Sequence, residues 1–103
     1  MKTKWINKNT GNLFSAILKL NSLTEVRMFF RDLLTEQEIE EFANRWKVAQ
    51  LLSQKVPYST IEKETGMSST TIARVKKYLA GEFGGYKRMI SKTKQNNNHH
   101  TPV

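Results

Sequence analysis

Apolar positions recur at three-to-four spacing along most of the chain, and no stretch alternates apolar and polar residues as a strand would. Leu13, Phe14, Ile17 and Leu18 make a first stripe, and Val26, Phe29, Phe30, Leu33 and Leu34 a second. Ile39, Phe42, Trp46, Ala49 and Leu52 make a third. Three Ser/Thr-x-x-Glu signatures precede apolar residues, at Ser22…Glu25, Thr35…Glu38 and Ser59…Glu62. In this pattern the hydroxyl and the carboxylate each satisfy an orphan backbone N–H at a helix start. The pattern predicts helices over 10–21, 22–34, 36–54, 59–65 and 69–80, with a weak sixth segment near 83–90. The fold class is therefore all-α, with five to six helices. The third helix opens with Glu36, Glu38, Glu40 and Glu41, where the helix dipole favours anions, and ends before Pro57.

The 103 residues make one domain's worth of chain, expected over 1–90. Residues 91–103 carry one apolar residue, beyond a proline, and are expected to be a disordered basic and polar tail. A monomer of this size hides only about 60–70% of its unfolded surface. The apolar first helix therefore wants a surface to cover, and a second subunit would supply one. With no cysteine, disulfides, thiolate-bound zinc and thiol catalysis are excluded. No apolar run approaches the roughly 20 residues of a membrane span, and Met1-Lys2-Thr3-Lys4-Trp5 shows no apolar signal core. A cytoplasmic location without membrane attachment is the expectation.

The net charge of +8 points to a polyanion as partner, and its distribution sharpens that reading. Residues 22–54 hold four bases against six acids, whereas residues 55–103 hold nine bases against three acids. The basic excess thus lies at the chain's two ends, outside the amphipathic middle.

Residues 58–80 read as a helix-turn-helix. Gly66 supplies a residue tolerant of positive φ at the corner. Ile61, Met67, Ile72, Val75 and Leu79 supply a small shared core, and Ser68 or Ser69 caps the second helix. The residues left outside are Ser69, Thr70, Ala73, Arg74, Lys76 and Lys77, short polar groups followed by bases. No acid occurs from 65 to 81. Short side chains let a helix N-terminus enter the major groove of duplex DNA, and Arg or Lys reach the flanking phosphates. The candidate DNA-binding residues are Lys63, Ser68, Ser69, Thr70, Thr71, Ala73, Arg74, Lys76 and Lys77. Glu62 departs from the commonest pattern, which has a small residue there: either the two helices cross differently or Glu62 points outward.

Leu33-Leu34-Thr35-Glu36-Gln37-Glu38, then Arg45, Gly66 and Thr71-Ile72-Ala73-Arg74, resemble the Trp repressor family over about residues 22–82. The resemblance is greatest to its small YerC/YecD-type members. It implies an intertwined homodimer carrying two helix-turn-helix units on one face, and a transcription regulator, by the family's name a repressor, acting on a pseudo-palindromic operator. It also implies an effector pocket at Thr35, Arg45, Thr71, Arg74 and Tyr78. Two of its positions depart from the tryptophan-binding pattern. Val75 stands where the family has glycine, and Tyr78 stands where a serine holds the ligand's amino group. Tryptophan is therefore not the expected corepressor, no cofactor is required, and self-packing of Tyr78 with Trp46 is a candidate replacement for the ligand.

Other readings of the same residues stay open. Arg45 can clamp a ligand or pair with a glutamate of its own helix. Tyr58, Tyr78, Phe83 and Tyr86 with Lys87 and Arg88 can stack single-stranded bases or pack the last segment. His99 and His100 are adjacent but lack further ligands, so no metal site is expected. No nucleophile–base pair suggests an enzyme. A dimeric protein-docking module and a non-specific nucleic-acid binder are the alternative functions.

Overall fold

The computed structural model describes residues 3–99, with side chains through Lys94. Among them lie six helices and no strand: α1 (Lys8–Ile17), α2 (Leu23–Leu33), α3 (Glu36–Ser53), α4 (Tyr58–Thr65), α5 (Ser69–Leu79) and α6 (Gly85–His99). The chain divides into two compact units, residues 1–39 and 40–103.

In the first unit, side-chain caps set the helix starts. The Asn7 side chain accepts from the Thr10 N–H at 3.0 Å, while Thr10 Oγ1 accepts from the Asn7 N–H at 3.0 Å. That reciprocal box starts α1 two residues before the expected position, and the helix ends at Ile17, not residue 21. Ser22 Oγ accepts from the Glu25 N–H at 3.1 Å, as the sequence signature predicts, and Glu25 reaches back to the N–H of Asn21. Thr35 and Glu38 complete the expected box, with bonds of 2.9 and 3.1 Å. Neither α1 nor α2 contains a buried residue. Phe14, Leu18, Leu23, Met28 and Leu33 are all exposed, Leu18 at 86%.

The second unit holds the core: Val48 and Ala49 of α3, Ile61 of α4, Ile72 and Val75 of α5, and Ile90 of α6. Each fully buried aliphatic side chain of this kind contributes about 1.5–3 kcal/mol. Helix α5 packs against both α4 and α6. The α4 start corrects one expectation. Pro57, not Ser59, is the N-cap residue, and no side chain caps the helix. Proline's fixed φ, −63° here, presets the extended entry, so the helix begins at Tyr58 with Ser59 already inside it.

The last helix is longer than the weak segment expected near 83–90. It starts at Gly85, after Gly84 turns the chain at φ +70°, and continues through residues 91–99 of the segment expected to be a tail. Ile90 anchors it in the core, and Thr93 Oγ1 donates to the Ile90 carbonyl at 3.0 Å. Lys92 and Lys94, good helix formers, follow on it. Residues 100–103 lie outside the described part of the chain.

Candidate nucleic-acid interface

The corner between α4 and α5 is built from four adjacent residues. Thr65, 9% exposed, donates its hydroxyl to the Ile61 carbonyl at 2.7 Å and accepts from the Met67 N–H at 3.2 Å. Gly66 adopts φ +70°, ψ 6° and donates its N–H to the Glu62 carbonyl at 2.8 Å, closing α4 in a left-handed cap. Ser68 then starts α5, its Oγ accepting from the Thr71 N–H at 3.2 Å and donating to Thr71 Oγ1 at 3.1 Å. Beneath the corner, Ile61 and Ile72 are fully buried and Val75 nearly so. The orientation of α5 is therefore held from two sides, by the turn's hydrogen bonds and by the shared aliphatic core. Glu62 is exposed, so of its two alternatives it takes the outward one.

The residues expected to meet DNA are brought together on one side of α5. Ser69, Thr70, Ala73, Arg74, Lys76 and Lys77 are all exposed, and helical spacing places them within less than half of the helix circumference. Ser68 and Lys63 are exposed on the flanking turn and on α4. Thr71 stands apart: it is half-buried and its hydroxyl belongs to the α5 cap. The two lysines sit in the last turn of α5, where they also complement the negative end of its dipole. Lys76 Nζ lies 5.8 Å from the centroid of the Tyr58 ring, a cation–π contact that tethers one of the bases.

Of the effector residues implied by the resemblance, Arg45, Thr71, Arg74 and Tyr78 lie in the second unit. Arg45 pairs with Glu41 at 3.1 Å, one turn back on α3, and its guanidinium lies 5.7 Å from the Phe42 ring centroid. Its pairing within its own helix is the arrangement found. Val75 is part of the core. Tyr78 is half exposed, and Trp46 stacks instead on Tyr86, centroids 6.4 Å apart at 18°. The ring that Trp46 stacks on is supplied by α6. Tyr78 and Trp46 both line an open groove with Phe83, Tyr86 and Met89. Thr35 lies in the first unit, engaged with Glu38.

A model of the Trp repressor protein family matches residues 8–94. The chain belongs to the Trp repressor family. It is 40% identical over 88 residues to the Bacillus subtilis protein YerC, covering 85% of each chain. A TrpR-like protein from Eubacterium eligens, of known crystal structure, is 36% identical with a TM-score of 0.83, over 88% of this chain and 94% of that one. A Staphylococcus aureus chain is 35% identical with the same TM-score, over 91% and 95%. Membership in this family points to a DNA-binding regulator and not to an enzyme. No helix among the described residues is long and apolar enough to cross a membrane.

Sequence reasoning missed a second groove in the same unit, lined by Lys55, Lys76 and Lys87 over an aliphatic base. The signal for it was thin. Lys55, at the exit of α3, takes up the left-handed conformation, φ +64°.

Proposed function

We propose that this Trp repressor family protein is a cytoplasmic, sequence-specific regulator of transcription, a repressor, that binds duplex DNA as a homodimer on a pseudo-palindromic operator. The observation that carries the reading is the exposed face of α5, with short polar residues at its N-terminal end and bases toward its C-terminal end, on a helix fixed by the Gly66 corner. Ser69, Thr70 and Ala73 face base edges; Lys63, Arg74, Lys76 and Lys77 contact phosphates. Two such helices about 34 Å apart match successive major grooves on one side of the duplex.

The homodimer is supported by the first unit, whose two helices hold no fully buried residue while exposing Phe14, Leu18, Leu23 and Met28. Apolar area of that extent seeks a partner surface. Tryptophan is not the effector in this reading. Arg45 is engaged by Glu41 and Phe42, and Tyr78 occupies the position where the family's serine holds an amino group.

Fluorescence anisotropy with a labelled pool of random duplexes, repeated over a series of salt concentrations, tests the core of this reading. Binding that weakens linearly in log–log form with salt is expected. Absence of binding at low salt overturns it.

A further inference from the structure

We propose that the groove between the end of α3, the start of α4 and the α5–α6 pair is a binding site for a small amphipathic anion, an apolar body bearing a carboxylate or phosphate. The groove has a volume of about 520 Å³, within the range of small-molecule sites, about 300–1,000 Å³. Leu52, Val56, Leu79 and Ile90 line it, and of these Ile90 is buried and the others half-buried. They form a base that selects an apolar occupant. Lys55, Lys76 and Lys87, all exposed, also line it, and no acid does. Three lysines lining an apolar recess, with no acid among its lining residues, are complementary to one anionic group on an apolar body.

One of the lysines is held at its ammonium end and another at its backbone. Lys76 is tethered over the Tyr58 ring, and Tyr58 itself lines the groove. Lys55 sits at φ +64°, fixed by its N–H to the Leu52 carbonyl at 3.0 Å and by the Val56 N–H to the Leu51 carbonyl at 3.1 Å. A side chain with a Cβ in that region costs of order 1–3 kcal/mol and persists only where the surroundings determine it. Less side-chain freedom is then lost at Lys76 when an anion binds. A DNA backbone would satisfy the charges but offers no apolar body for the recess. The groove shares none of Thr35, Arg45, Thr71, Arg74 and Tyr78, so it is separate from the pocket implied by the family. It does not depend on the DNA reading, with which it shares only Lys76.

The test is a titration of the full-length protein with 2-naphthoate, followed by amide shifts in ¹H–¹⁵N spectra, alongside neutral 2-naphthamide. Saturable shifts at Ser53, Lys55, Tyr58 and Ala80 are expected, with the amide binding about tenfold more weakly. Lys55→Asn combined with Lys87→Gln, two exposed positions outside the duplex-facing set, should weaken naphthoate about tenfold and leave the naphthamide affinity unchanged. Equal affinity for the two probes overturns the proposal. So do shifts centred on Trp46, Tyr78 and Tyr86, or a double variant that binds as well as the parent. An acidic peptide or a duplex that moves the groove amides while naphthoate does not would also overturn it.

Discussion

At the α4–α5 corner the left-handed conformation of Gly66, φ +70°, helps to set where α5 points. A Cβ at Gly66 meets open space, so alanine there is disfavoured by conformation and not by collision. Gly66→Ala is expected to lower unfolding free energy by about 1–2 kcal/mol in urea denaturation; an unchanged midpoint would show that the corner tolerates another geometry. The outward residues of α5 separate two effects. Lys76→Ala with Lys77→Ala should weaken binding to every duplex and lower the log–log salt slope by about 0.9 for each phosphate no longer neutralised. An unchanged slope would remove both lysines from the interface. Thr70→Ala should instead change which sequences are preferred. Isothermal titration with L-tryptophan should detect no micromolar binding, and such binding would reinstate Arg45 and Arg74 as a clamp. At this scale the sequence displayed residue types well and partners less well. Glu41 lies four residues before Arg45, so that pair was legible. The Trp46–Tyr86 stack joins residues forty positions apart in the chain, and helical spacing carries no such information.

Helix by helix, the caps account for most of what could be read in advance. Ser22 and Thr35 fulfil their signatures because each precedes the first helical turn, where its oxygen meets an orphan N–H. Ser59 bears the same signature but follows Pro57, which enters the helix first, so the serine finds itself inside the first turn. The two ends of the chain were harder. Asn7 with Thr10 is a capping box outside the Ser/Thr-x-x-Glu pattern, and α6 is sustained by Ile90 docking into a core that no local pattern reveals. That core also makes a prediction. Ile72 is fully buried between α4 and the rest of the unit, so Ile72→Ala should cost about 2–5 kcal/mol by denaturant unfolding. A loss below about 1 kcal/mol would mean that α5 is not held by this packing, and the fixed orientation of its outer face would lose its support.

Over the whole molecule, the contrast between the two units is what calls for a second copy of the chain. Residues 40–103 possess an aliphatic core, whereas α1 and α2 of residues 1–39 contain no fully buried residue. The all-α class and the helix-turn-helix were legible from periodicity and from Gly66 because both are local properties; subunit pairing is not local, and only the excess of apolar surface signals it. Selection of bound duplexes from a random-sequence pool at near-physiological salt joins these threads most directly. Enrichment of a two-fold symmetric site is expected, with half-sites about 34 Å apart, one helical turn of DNA. Enrichment of an asymmetric single half-site, or of no sequence at all despite salt-dependent binding, would contradict a homodimer reading an operator through α5.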